Sequence, residues 1–253
     1  MALGHIISTA NIKGGVGKTT TAFLLANEIT NRGLTVQILD LDPNRAFMKL
    51  KEARENSEDN ALPWDTQGLK EIGGEDGFFD AVDASRENYD FTILDCEGSQ
   101  NMLLTKAASI AGLTVIPITP SPLDASALIE LMKFINSQSK IMGRKMPYRL
   151  LVNQTASGAV KESWEKITIE EIDSNNLPRF KNTLYGGPVF KDIWGKRQTL
   201  QEIRADFVKE LEALANAKNR QKEEVTKKIA QLDRGIQRSS ELCDELFSIL
   251  AAA

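Results

Sequence analysis

Lys13-Gly14-Gly15-Val16-Gly17-Lys18-Thr19-Thr20 gathers two amines, three glycines and two hydroxyls into eight residues. Apolar Ile6-Ile7 precede it and Ala22-Phe23-Leu24-Leu25-Ala26 follow, so it reads as the tight turn between a short buried strand and a helix. The first N–H groups of a helix lack intrahelical partners and sit at the positive end of its dipole, which suits an anion. Gly14, Gly15 and Gly17 carry no Cβ, so the turn can wrap closely around a phosphate chain, with the Val16 and Thr20 backbone beside them. Lys18 would bring its charge to the β- and γ-phosphates, and Thr19 would offer a hydroxyl to Mg2+. A glycine turn that merely happens to contain a lysine would not need a strand and a helix in register on its two sides.

Two further runs end in carboxylates. Leu34-Thr35-Val36-Gln37-Ile38-Leu39 is apolar and β-branched and leads into Asp40, Asp42 and Pro43, and Phe91-Thr92-Ile93-Leu94 ends at Asp95. Open parallel sheets bind ligands beyond the carboxyl ends of their strands, which would turn these acids toward the glycine turn. Asp40 and Asp42 could hold Mg2+ through water or orient an attacking water, and Asp95 could support Mg2+ through a bound water. Taken singly, each also suits a strand-end turn or a capping role.

Several elements must position these groups. A helix is expected from Ala22 to Ile29, ended by Gly33, and others over Ala46–Glu55, Phe78–Ala84, Leu103–Ala111, Ala125–Ser137 and Ile167–Ser174. Leu113–Ile118 and Tyr148–Val152 read as strands, with Asn153 at the end of the second, and Phe180–Leu184 as a last short one. Pro63 limits a short strand at Leu62–Thr66 to an edge or an entry position. This alternation predicts an α/β fold: a doubly wound, mostly parallel sheet with helices on both faces, plus a C-terminal helical extension.

The chain of 253 residues is long enough to bury one substantial core, and 42% hydrophobic with 26% charged residues is ordinary for a globular protein. A formal charge of −4 gives no overall reason to expect nucleic acid. Cys96 and Cys243 are too few for a disulfide framework and fit a reducing cytoplasm, Cys96 as a packed thiol. No apolar run approaches a membrane span, and no signal pattern opens the chain.

The glycine turn departs from the common P-loop pattern, which has glycine where Ile12 stands, and it carries the extra Lys13. In this it resembles the deviant Walker A motif of the ParA/MinD family of P-loop ATPases. Asp40-Leu41-Asp42-Pro43 is similar to that family's second motif, and Asn44-Arg45 in place of its usual Gln is closer to the ParA-like accessory ATPases of T-DNA and conjugative transfer. The resemblance covers most of residues 5–205 and implies ATP and Mg2+ as cofactors, and an ATPase that forms a homodimer with ATP. It also implies that Lys13 reaches the partner's nucleotide, that Asp42 is needed for hydrolysis and that Asn153 reads the adenine edge. Relatives commonly read Asp-Cys-Pro-Pro after the strand; here Asp95-Cys96-Glu97-Gly98 lacks the prolines, which bears on the timing of the switch loop.

The division expected is a ParA-like ATPase domain over 1–215 and a helical extension over 216–253, packed on the core or on a partner. Val225, Ile229, Leu232, Ile236, Ser239, Cys243, Leu246 and Leu250 form a stripe at alternating steps of four and three, weakened by Gly235. Residues 191–240 hold 12 Lys/Arg against 8 Asp/Glu, so the basic surplus of an acidic chain lies here. Candidate contacts to DNA phosphates are Lys191, Lys196, Arg197, Lys218, Arg220, Lys222, Lys227, Lys228, Arg234 and Arg238, although Glu223, Glu224 and Asp233 interleave as on any solvated helix. Together with the resemblance this implies an ATP-dependent, nucleoid-associated switch in the cytoplasm. It would bind DNA non-specifically and position plasmid, DNA or protein cargo, with slow hydrolysis stimulated by a ParB-like or other adaptor. The alternatives are a metabolic P-loop kinase or ligase and a MinD-like membrane-associated ATPase. The second is opposed by a tail, Phe247 to Ala253, without basic residues.

Overall fold

Side chains alternate across a strand, and here that alternation builds two hydrophobic layers. The computed structural model describes residues 4–56, 61–99, 101–120, 124–154, 159–184, 187, 189–214 and 219–252, with the backbone alone for 124–129, 131 and 159–162. Strands β1 (His5–Thr9), β2 (Val36–Asp40), β3 (Asp65–Gly68), β4 (Phe91–Asp95), β5 (Leu113–Ile118) and β6 (Tyr148–Val152) form one sheet in the order β3-β2-β4-β1-β5-β6. Every neighbouring pair is parallel. Ile7, Ile38, Ile93, Val115 and Leu151 point to one face, Ile6, Leu39, Leu94, Ile116 and Leu150 to the other. Helices α1 (Lys18–Asn31), α2 (Ala46–Glu55), α7 (Val189–Lys196), α8 (Leu200–Ala213) and α9 (Asn219–Ala251) cover the first face. On the second lie α3 (Phe78–Asn88), α4 (Met102–Ile110), α5 (Asp124–Met142) and α6 (Ala159–Ser174). With helices on both faces, β2 and β4 are buried along their whole length, including Gln37, Thr92 and the acids that end them.

The expected doubly wound sheet is thus observed, with two local differences. The edge strand begins at Asp65, three residues beyond the expected Leu62, because Pro63 has no N–H to give and pairing with β2 starts at Gln37 opposite Asp65. The segment expected as a last strand over Phe180–Leu184 touches β6 only through an isolated bridge at Arg179 and the N–H groups of Phe180 and Leu184. Between them, the Glu245 carboxylate of α9 takes the N–H groups of Lys181 (2.7 Å) and Asn182 (3.1 Å), so a continuous ladder does not form.

The apolar stripe of α9 faces inward. Val225, Leu232, Leu242, Cys243 and Leu246 join the cluster containing Phe23, Leu200, Ile203 and Phe207. Gly235 is buried where a Cβ would meet Phe190 and Val189 of α7 at 3.6 Å, so α7 packs directly on α9 there. Polar ties add to this: Arg32, which caps the C-terminus of α1, reaches Asp244 at 2.6 Å and the Ser240 carbonyl at 3.0 Å. Arg54 of α2, its side chain 2% exposed, grips Glu202 through both oxygens at 2.8 and 3.0 Å. The same guanidinium donates to the Arg197 carbonyl at 2.9 Å. The division drawn at residue 215 lies outside the described residues.

Candidate nucleotide site

The parallel register sets the acids side by side. Thr9 pairs with Asp95 and Asp40 with Asp95, so the ends of β2, β4 and β1 converge on the turn between β1 and α1. Asp95 is fully buried and accepts from Thr9 Oγ1 at 3.1 Å, and the Thr19 hydroxyl beside it favours its charged form, which puts two of the residues expected to serve Mg2+ together. Asp40 is also fully buried; its Oδ2 accepts the N–H groups of Phe47 (2.9 Å) and Met48 (3.1 Å), so half of this carboxylate starts α2. Asp42 is half-buried and holds the Asn44 N–H at 2.8 Å.

The turn itself is braced from both sides. Asn11 donates to the Pro117 carbonyl at 2.7 Å and accepts the Lys13 N–H at 2.9 Å. From the other side Asn153 Nδ2 donates to the Val16 carbonyl at 2.8 Å, and Gln154 Nε2 donates to the Gly15 carbonyl at 2.7 Å. Asn153 Oδ1 accepts the Gln154 N–H at 2.7 Å, so both ends of the amide expected to read adenine are engaged, Nδ2 with the turn and Oδ1 with its own neighbour. Gly17 has φ +94°, and a Cβ there would lie 2.1 Å from Asn153 Nδ2, so glycine alone fits. The bracing by Asn11, Gln154 and Asn153 had no signal in the sequence, because its partners are backbone carbonyls distant along the chain.

Electrostatics follow from burial. Lys18 Nζ donates to the Lys13 carbonyl at 3.1 Å; burial lowers its pKa, opposed chiefly by Asp95 and Asp42. Burial, then the neighbouring Asp40, raises the Asp95 carboxyl to about 7. Asp40 is also raised by burial, against the N–H groups that favour its charge. Burial pushes the Cys96 thiol up as well, in keeping with a packed rather than reactive sulfur.

These residues fit a magnesium nucleotide. Buried Asp40 Oδ1 and Asp95 Oδ2 have no hydrogen-bond partner, a costly state that a bound cation or its water would relieve. Space is open above Gly14 and Gly15, and α1 has no side-chain cap at its N-terminus. Among the described residues no three His, Cys, Asp or Glu side chains converge as a metal cage, and Mg2+ ordinarily uses one or two carboxylates plus phosphate oxygens.

A sequence model described as ATPase MipZ matches residues 5–162, well over half of the chain. The chain belongs to the MipZ ATPase family. It is 28% identical over 146 residues to protein ParA of Rhizobium radiobacter, an alignment covering 58% of this chain and 63% of that protein, under two thirds of its length. It is 29% identical over 174 residues to maintenance of carboxysome distribution protein A of Halothiobacillus neapolitanus, covering 66% of this chain and 74% of the relative. A plasmid partition protein of Borrelia burgdorferi B31, solved bound to AMPPNP, superposes with a TM-score of 0.65 at 15% identity over 97% of this chain and 99% of its own. This MipZ-family chain therefore has the ParA/MinD-type P-loop fold.

On this MipZ-family chain the candidate DNA contacts separate into groups. Arg220, Lys227, Arg234 and Arg238 recur at steps of seven, seven and four, which the helical repeat brings to one exposed face of α9. Two of them have protein partners: Arg220 pairs with Glu224 at 3.5 Å, and Arg238 donates to the Thr183 carbonyl at 3.0 Å. Lys196 and Lys228 converge on the Phe207 ring, at 4.5 and 4.9 Å from its centroid. Lys191 and Arg197 are exposed on and just after α7, Lys222 is half-buried, and Lys218 lies outside the described residues. No described helix is long and apolar enough to cross a membrane.

Proposed function

We propose that this chain is an ATP-driven switch: it dimerises on ATP, binds DNA without reading sequence, positions DNA or protein cargo, and hydrolyses ATP slowly until an adaptor completes the site. The observation that carries the reading is the pair of partnerless buried oxygens on Asp40 and Asp95, side by side at the ends of β2 and β4. Lys18 and the N–H groups from Gly14 to Thr20 hold the phosphates. Thr19 and Asp95, with the remaining oxygen of Asp40, hold Mg2+. When bound, the metal would neutralise charge on the β- and γ-phosphate oxygens. Asp42, outside the metal group, orients the attacking water. Lys13, exposed at the lip of the turn, lends its charge to the triphosphate of a partner subunit and stabilises charge in the transition state.

The named relatives support a positioning role, since one is called ParA and another maintains carboxysome distribution. The exposed cationic face of α9 supports contact with phosphates along a duplex. The test measures binding to unrelated DNA duplexes with ATP, ADP and no nucleotide across a salt series. Binding that requires ATP and collapses steeply with salt is expected. Binding indifferent to nucleotide would refute the switch and favour a metabolic ATPase.

A further inference from the structure

The loop after β4 closes directly on the phosphate-binding turn. A Cβ built on Gly98 would lie 2.8 Å from Lys18 Nζ, 3.3 Å from Gly14 N and 3.4 Å from Gly14 Cα. Glycine at this position lets the backbone rest against the turn; a proline or any larger residue would displace the amine. The residue before it, Glu97, is half-buried and is held in place. Its Oε2 accepts from Asn101 Nδ2 at 2.8 Å, and the same amide reaches Ser99 Oγ at 3.3 Å. Asn101 is itself anchored, because its Oδ1 caps α4 by accepting the Leu104 N–H at 2.8 Å. Glu97 also acts electrostatically on the Lys18 amine, beside Asp95 and Asp42. Adjacent to Gly98, which rests on the lysine, Glu97 acts on that amine more weakly than Asp95 and Asp42, and it is the acid that neither the metal nor the attacking water requires.

We propose that Glu97 is a specificity-determining residue of the nucleotide site: its carboxylate, fixed near Lys18 by Asn101 and admitted by Gly98, disfavours a γ-phosphate and biases binding toward the nucleoside diphosphate. The inference rests on the reading of the turn as a triphosphate site. A triphosphate brings about one more negative charge than a diphosphate. At about 10 Å under an effective protein dielectric near 20, one extra unit charge changes an affinity by about tenfold. The carboxylate cannot swing away from this repulsion without giving up its bond to Asn101, which is why a surface acid at the same place would matter less.

The test measures dissociation constants of the full chain for ADP and for a non-hydrolysable ATP analogue, with Mg2+, at low and high salt. Glu97→Gln keeps an acceptor for Asn101 and removes the charge. It should raise the preference for the triphosphate analogue over ADP by about tenfold, with a smaller gain at high salt, where charge is screened. Glu97→Ala should move the ratio in the same direction, which separates charge from the bond to Asn101. An unchanged ratio, or equal shifts for both nucleotides, overturns the inference and leaves Glu97 a structural residue. Wild-type protein that binds neither nucleotide refutes the triphosphate reading itself.

Discussion

Replacing Asn153 by Ala tests whether its amide serves the P-loop or the base. Asn153 is 5% exposed, donates to the carbonyl of buried Val16 and accepts the N–H of exposed Gln154, so truncation strands one buried backbone group and leaves the other to water. An unsatisfied buried group costs about 1–3 kcal/mol, so about 2 kcal/mol is expected for the Val16 carbonyl. If the bonds hold the turn in its phosphate-binding shape, that energy appears as a 10- to 30-fold loss of nucleotide affinity, at about 1.4 kcal/mol per factor of ten. The loss should fall equally on ATP and GTP, because both present the same phosphates to Gly14–Thr20. The assay is a competition titration of both nucleotides against wild type and Asn153→Ala, with thermal unfolding of the nucleotide-free proteins alongside. A loss confined to ATP, with GTP affinity unchanged, would refute the bracing argument and return Asn153 to the adenine edge.

Lys18→Ala should abolish ATP binding, whereas Asp42→Ala should bind ATP, hydrolyse it far more slowly than wild type and accumulate as dimer in size-exclusion runs with ATP; equal hydrolysis by Asp42→Ala and wild type removes that role. Arg54→Met should lower the melting temperature by about 4–8 °C. Breaking a fully buried pair costs about 3–5 kcal/mol, Glu202 is 36% exposed so about 2 kcal/mol is expected, and a chain of this size shifts about 2–4 °C per kcal/mol. Burial alone would raise the Glu202 carboxyl, but bonds from Arg54 and the Thr199 N–H leave it lowered. A lowered acid stabilises the fold above its unfolded value and loses that contribution as pH falls through the lowered one. Acid unfolding curves should therefore show Glu202→Gln starting less stable at neutral pH and converging on wild type in acid. Reversing Arg220, Lys227 and Arg234 to Glu should weaken DNA binding across all sequences and flatten its salt slope by about one for each phosphate no longer neutralised, leaving nucleotide affinity unchanged; an unaltered slope removes α9 from the DNA surface.

Much of this molecule was legible along the chain because its signals are local. The spacing of Gly14, Gly15, Gly17 and Lys18 between an apolar strand and a helix marks a phosphate turn, and the acids after Leu39 and Leu94 follow from strands that run out at the sheet's carboxyl edge. The four-and-three stripe from Val225 to Leu250 shows that one face of α9 must be covered, but periodicity does not say by what. Tertiary packing decided that the cover is α1, α7 and α8, with Gly235 against Phe190. It also decided that Asp40 divides its oxygens between α2 and the site, and that Asn153 grips a turn 137 residues away. Gly98 likewise comes to rest on Lys18 only in the fold. The physical reason is common to all of these. Helix and strand periodicity depends on side chains a few residues apart, whereas a buried polar group takes whichever distant backbone partner the packed sheet brings within about 3 Å.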